Sequence, residues 1–311
     1  MLEEPLLRAE LSLSPLSTVE ISPAEPTVAS PSWWGGDSER YRVDVREGGA
    51  TRKLFVKVMS PHTKSYVDWA DSFTWAATAG QRGIGPEVVV SNPGIGMLVM
   101  RDLAPNVATA TVDVFDGRAI QALVELKKSV AEFPRTARNG VVFDEIDRLR
   151  QLVIAGGGAL PRDFDWMLRR LQPAVQRIKA QGYELVPCHG DGNVSNVMTS
   201  KNGSGLKLLD WDIAGMMDPL QDLGALLQEL RPEDREARPV FEMYWGRWDD
   251  SLFARCRIYG IADCVRWGLT GLYADQVNPG THEYSKFADW QFLRARLGLS
   301  ARTYDARVLN L

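Results

Sequence analysis

The hydrophobic positions change their period once along the chain. Up to about residue 103 they come in short alternating runs. Tyr41–Val45 alternates apolar and polar residues, and Lys53–Met59 (KLFVKVM) reads as a strand with one charged and one apolar face. Gly48-Gly49 between these runs predicts a hairpin turn. Residues 65–81 (SYVDWADSFTWAATAGQ) have helical apolar spacing, with Gly80 and Gly83 as the expected stop. Glu87–Val90 and Gly96–Met100 read as two further strands around an Asn92-Pro93-Gly94 turn. Residues 1–34, mixed in Pro, Ser, Glu and short apolar alternations, read as a loose lead-in with room for one strand. The first hundred residues thus predict strand, strand, helix, strand, strand.

Beyond Leu103 the period becomes helical. Residues 109–133, 143–155 and 163–181 are amphipathic, and 218–230 and 251–276 read as helices again. The AGGGA run at 155–159 predicts a flexible break; no strand precedes it, so it is not a phosphate loop. No internal repeat or low-complexity tract interrupts the pattern. The expectation is an α+β fold in two lobes: a small β-rich lobe over 1–103 and a larger, mostly helical lobe over 104–311.

Composition narrows the chemistry. With 311 residues, 45% hydrophobic and 24% charged, the chain can bury a real core and is not wholly disordered. No stretch approaches the roughly 18 apolar residues of a membrane-spanning helix. Lys and Arg number 36 against 40 Asp and Glu, so nucleic acid is not an expected partner. Three Cys and three His are too few and too scattered for a disulfide framework or a transition-metal site. Carboxylates, Lys, backbone dipoles or a hard cation such as Mg²⁺ remain. The acidic start MLEEPLL lacks the features of a signal peptide, so a cytoplasmic site is the expectation.

The segment VPCHGDGNVSNVMTSKNGSGLKLLDWDIAGMMDPLQDLG (186–224) concentrates candidate chemistry. His189-Gly190-Asp191 is followed five residues after the Asp by Asn196, and fourteen residues later an apolar run ends in Asp210. An H-x-D-x-x-x-x-N loop, a hairpin and a second Asp form the set that phosphoryl transfer from ATP needs. One carboxylate orients and deprotonates the attacking hydroxyl; an amide oxygen and another carboxylate hold Mg²⁺ against the phosphates. Asp191 is placed as the base, Asn196 and Asp210 as metal ligands, and His189 as a brace for the loop.

The blocks CHGDGNVSN, LLDWDIAGMMDP and DLG resemble the aminoglycoside phosphotransferase and choline/ethanolamine kinase superfamily, which shares the protein-kinase-like fold. The AG-x-x-DP wording leans toward the choline kinase side, with Asp212 where that family typically has Glu. The resemblance implies a strand Lys for the α- and β-phosphates, matched by Lys57. It also implies a carboxylate on the next helix to hold that Lys, matched by Asp71 with Asp68 as the rival. Gly83-Ile84-Gly85-Pro86 resembles the turn after that helix, and Met97–Leu103 the last strand and hinge, where Met100 and Asp102 would meet adenine. Gly35, Gly36, Asp37 and Ser38, ahead of Tyr41-Arg42-Val43, fit the family's phosphate-covering loop.

For the acceptor, the aromatic-rich stretch 241–290 suits a cation, because a Trp face attracts a quaternary ammonium. DCVRWGLTGLYADQ (263–276) resembles the choline kinase helix with two cage Trp residues; Trp267 matches the first, and the second is Thr270. Glu229 matches a Glu found after D-L, and Asp212 joins the substrate side. Three readings stay open. The acceptor is choline or ethanolamine; or it is an aminoglycoside or another amino alcohol or sugar; or the chain binds nucleotide without catalysis. Lys57, Asp191, Asn196 and Asp210 are all present, which argues against the third. The sequence leaves the oligomeric state open.

Overall fold

The computed structural model describes residues 2–24, 38–104, 107–200, 205–280 and 283–311. Residues 2–24 of the N-terminal lead-in carry regular structure. They hold helix α1 (Glu4–Glu10) and strand β1 (Thr18–Pro23). β1 pairs antiparallel with β2 (Ser38–Glu47), from Thr18↔Arg46 to Pro23↔Tyr41. β2 pairs in turn with β3 (Ala50–Met59) through a two-residue turn. Both turn glycines have positive φ, 58° at Gly48 and 81° at Gly49, as a tight hairpin requires. Helix α2 (Trp69–Gln81), β4 (Val88–Asn92) and β5 (Met97–Arg101) complete a five-stranded sheet of order β1-β2-β3-β5-β4.

The two faces of this sheet differ. Val43, Val45, Leu54, Val56, Met97 and Val99 form one apolar face, packed with Leu2 and Leu7. That burial is why the lead-in folds: without it a sheet face of six large apolar residues would meet water. The opposite face presents Arg40, Arg42, Phe55, Lys57, Leu98 and Met100 to a cavity.

Of the described residues, 2–24, 38–110 and 195–212 form one compact unit, and 111–194 with 213–311 form another. The expected single cut near 103 differs from this division because a later segment returns to the first unit. β6 (Val107–Thr109), β8 (Val197–Ser200) and β9 (Leu206–Leu208) make a sheet of order β6-β8-β9, while β7 (Val186–Cys188) lies in the second unit. β9 is also bound to the turn after α2: the Leu208 N–H donates to the Ile84 carbonyl at 2.7 Å.

The second unit is helical: α3 (Gly117–Ser129), α4 (Val142–Ala155), α5 (Phe164–Gln181), α6 (Pro219–Leu230), α7 (Asp234–Trp245), α8 (Asp250–Val277), α9 (Tyr284–Ser300) and α10 (Tyr304–Asn310). β7 pairs antiparallel with β10 (Gly215–Met217). α8 is its centre, buried on most sides and packed against α4, α5, α6, α9 and α10. Gly224 on α6 and Gly260 on α8 let two backbones touch; a Cβ on Gly260 would lie 2.6 Å from the Gly224 carbonyl oxygen. α7, α9 and α10 exceed the helices that periodicity assigns. Pro239 lies inside α7, where a proline argues against a helix. Exposed Trp290, Leu293 and Leu297 blur the polar stripe of α9. Among the described residues, no helix is long and apolar enough to cross a membrane.

Candidate active site

In the first unit the site is built around Lys57. Its position on β3 turns the side chain to the cavity face, where Lys57 Nζ donates to Asp210 Oδ1 and Asp212 Oδ2, both at 2.6 Å. Asp212 is the inner partner: its side chain is 7% exposed, against 32% for Asp210. Its other oxygen, Oδ1, accepts from Ser72 Oγ at 3.0 Å. Asp210 has φ 61°, a left-handed conformation that Asp tolerates better than most residues. Burial pushes its carboxyl up, but Lys57 and then Arg40 outweigh this and hold it below the usual carboxylate range.

The family pattern predicts a carboxylate of α2 opposite Lys57. The structure brings Asp210 and Asp212 to Lys57 from the loop after β9, and α2 contributes the Ser72 hydroxyl to Asp212. Asp68 caps α2, accepting from the N–H groups of Ala70 and Asp71 at 3.0 Å. Asp71 lies in the first turn of that helix. Asp212, predicted on the acceptor side, is thereby placed under Lys57.

Around this cluster the cavity is lined by Phe55, Leu98, Met100, Leu103, Met198 and Leu209, an apolar slot beside the charges. Asp102 also lines it; its backbone N–H donates to Lys53 O at 3.0 Å, and its carboxylate accepts from Ala104 N at 3.0 Å and Arg42 Nε at 3.1 Å. Asn196 faces the same cavity, and its carbonyl accepts from Leu209 N at 2.8 Å, which ties it to the residue before Asp210. Ser38, 8% exposed, opens β2 at the cavity wall. Gly35, Gly36 and Asp37 lie outside the described residues.

In the second unit β7 leads into the loop of His189 and Asp191, which are 1% and 7% exposed. Gly190 has φ 77° and donates its N–H to Asp222 Oδ1 at 2.8 Å. Lys127 Nζ donates to the same Oδ1 at 2.7 Å and to the Asp191 carbonyl at 2.8 Å. Asp191 Oδ1 accepts from Asn193 N at 2.8 Å, and His189 Nδ1 lies 3.4 Å from the Asp191 carbonyl. A Cβ on Gly192 would sit 2.2 Å from the Ala225 carbonyl oxygen, so the loop presses on α6. Asp218 caps that helix and also accepts from Arg255 and from Tyr259 Oη. Lys127 was invisible to motif reading, lying in a helical region that no motif identifies. Its one signal is a Lys on an otherwise apolar helix face.

The predicted acceptor residues Glu229 and Trp267 each have protein partners. Glu229 pairs with Arg294 at 3.3 Å. The Trp267 ring meets Phe287 edge-on at 6.0 Å, and the Arg266 guanidinium lies over it at 4.3 Å. Burial works against the Arg266 charge, but Asp263 and Glu145, and more weakly Asp191, outweigh it and raise its pKa. Thr270, at the predicted second cage position, is 1% exposed and donates to the Arg266 carbonyl at 3.0 Å.

A family model described as the phosphotransferase enzyme family matches residues 29–259, well over half of the chain. The chain belongs to the phosphotransferase enzyme family. Its activity class is that of a small-molecule phosphotransferase acting on hydroxyl groups. No curated protein sequence matches this phosphotransferase. Solved structures share its α+β, protein-kinase-like fold. A choline/ethanolamine kinase family protein from Mesorhizobium loti is 20% identical with a TM-score of 0.73, covering 98% of each chain. The choline kinase LicA from Streptococcus pneumoniae in complex with AMP is 17% identical with a TM-score of 0.76, covering 96% of this chain and 98% of that one. The GDP and kanamycin complex of an APH(2″) protein is 15% identical with a TM-score of 0.64, covering 94% and 97%.

Proposed function

We propose that this phosphotransferase moves the γ-phosphate of ATP to a hydroxyl of a cationic small molecule, choline or ethanolamine. The carrying observation is Lys57, held between Asp210 and Asp212 beside the apolar slot of Phe55, Leu98 and Met100. A slot for a flat base next to an anchored ammonium suits a nucleotide with its phosphates on Lys57. On this reading Met100 and Asp102 meet the adenine end, and Ser38 with Gly35, Gly36 and Asp37 covers the phosphates.

The donor set fits Mg²⁺. Among the described residues no group of three or more His, Cys, Asp or Glu could hold a metal by itself. Mg²⁺ needs less, because it binds through one or two protein oxygens and completes its shell with phosphates and water. Asn196 and Asp210 supply an amide and a carboxylate oxygen on one cavity. Such an ion would offset charge on the β- and γ-phosphates. Asp191 accepts the proton of the acceptor hydroxyl, whose oxygen attacks the γ-phosphorus as the bond to ADP breaks. Lys127, Asp222 and His189 hold the loop that carries Asp191. ATP as donor makes the cytoplasm the expected compartment.

The choline and ethanolamine reading draws on the AG-x-x-DP wording and on the kinase neighbours of that name. A second reading, an aminoglycoside or other amino sugar, is favoured by one observation. Arg266 already lies over the Trp267 ring and Glu229 is paired with Arg294, so a quaternary-ammonium cage is not set up there. The test is ADP release by the purified protein with Mg-ATP and a panel of choline, ethanolamine and aminoglycosides. Turnover of choline or ethanolamine supports the first reading, and turnover of aminoglycosides alone selects the second. Silence across the panel with nucleotide still bound would mean a non-catalytic nucleotide binder.

A further inference from the structure

We propose, on the nucleotide reading above, that Arg40 is a second phosphate-binding cation, working beside Lys57 from the neighbouring strand. Arg40 is the direct antiparallel partner of Lys57 in the β2–β3 ladder, so the two side chains leave the same face of the sheet. Both line the one cavity that also holds Asn196, Asp210 and Asp212. The next row, Arg42 opposite Phe55 and Phe55 opposite Met100, carries the apolar slot. One row of the sheet thus serves charge and the row beside it serves the base.

Charge counting asks for such a residue. Lys57 is one ammonium between two carboxylates, so this cluster alone is net negative and would repel a triphosphate. A metal on Asn196 and Asp210 offsets only part of a polyanion. Two other arginines on the cavity are tied to carboxylates on its rim: Arg42 to Asp102 at 3.1 Å and Arg101 to Glu87 at 2.8 Å. Arg40 opens on the cavity in the same row of the sheet as Lys57, on the side that also holds Asn196 and Asp210. A planar guanidinium there can take two phosphate oxygens at once.

The test is a binding ladder of adenosine, AMP, ADP and ATP, with Mg²⁺, measured by calorimetry on the intact protein and on Arg40→Met and Arg40→Lys. The wild type should tighten as phosphates are added. Arg40→Met should lose about ten- to a hundred-fold for ADP and ATP while keeping its adenosine affinity. Arg40→Lys, which keeps the charge but not the fork, should fall between. An unchanged ladder in Arg40→Met, or an equal loss for all four including adenosine, would overturn the assignment while leaving nucleotide binding intact. A wild-type ladder with no gain from phosphates would overturn the nucleotide reading itself, and Arg40 with it.

Discussion

Lys127→Met removes one side chain that the second unit uses twice. Lys127 and Asp222 are each 1% exposed and meet at 2.7 Å. Deleting the ammonium leaves the Asp222 carboxylate charged in a dry interior, and breaking a buried pair in this way costs about 3–5 kcal/mol. For a protein of this size each kcal/mol lowers the melting temperature by about 2–4 °C, so calorimetry should show a drop of about 6–20 °C. The same substitution frees the Asp191 carbonyl, which Lys127 holds at 2.8 Å. A catalytic carboxylate displaced by about 1 Å can lose 10²-fold in rate, so kcat should fall far more than KM for ATP rises. The double variant Lys127→Met with Asp222→Leu separates the two effects. An apolar pair should regain most of the stability, because replacing both charges avoids the unpaired one. It should not regain kcat, because the Gly190 N–H also loses its acceptor. A melting temperature for Lys127→Met within about 2 °C of wild type, or a double variant less stable than the single one, would refute this reasoning.

Asp191→Asn should lower kcat by about 10²–10⁴-fold with nucleotide affinity unchanged, measured by ADP release and calorimetry; unaltered turnover would remove Asp191 from the mechanism. Gly192→Ala should destabilise by about 1–3 kcal/mol and slow turnover, since its Cβ would meet the Ala225 carbonyl at 2.2 Å; a chemical-denaturation curve like wild type would contradict the close approach. Arg296 grips Asp163 through two hydrogen bonds of 2.7 Å and holds its carboxyl below the ordinary range. The pair's contribution is therefore present above the ordinary carboxylate pKa and lost as pH falls through the lowered one. The Arg296 and Asp163 side chains are 32% and 41% exposed, so Asp163→Asn should cost at most about 1 kcal/mol near neutrality and nothing in stronger acid. Cys188, Cys256 and Cys264 are buried, and burial raises the Cys264 thiol to about 12, so a thiol reagent near pH 8 should label none of them until the protein is unfolded.

What the sequence made legible follows from how far each feature depends on its neighbours. The β2–β3 hairpin depends on alternation and two glycines, all within twenty-two residues, and it is read directly. The candidate loop residues stand at fixed spacing, so Asn196 and Asp210 are legible in the motif itself, whereas Lys57, on strand β3, is reached only through the family resemblance. In the lead-in, the one strand that the alternation leaves room for is β1, but helix α1 is not legible, for the opposite reason. Leu2 and Leu7 count as core only once Val43, Val56 and Val99 present an apolar sheet face to cover. The contacts of the acceptor candidates are not legible in the same way: Trp267 meets Phe287 and Glu229 meets Arg294, both on α9, a helix poorly marked by its hydrophobic pattern.

The anchoring of Lys57 shows how a motif can name a residue without naming all that holds it. A kinase-like site needs the strand lysine held, but any buried acceptor at hydrogen-bond distance can hold it. The family resemblance points to a carboxylate of α2, the helix that follows β3. In this chain the acceptor comes from the loop after β9, 155 residues away, where Asp212 takes Lys57 on one oxygen and Ser72 on the other. With both oxygens occupied, Asp212 is fixed in place, and it fixes Lys57 from below while Asp210 remains the more exposed of the two carboxylates. The Ser72 hydroxyl thereby links α2 to the Asp212 carboxylate and through it to Lys57, a contact between two positions 140 apart in sequence that only the folded chain brings together.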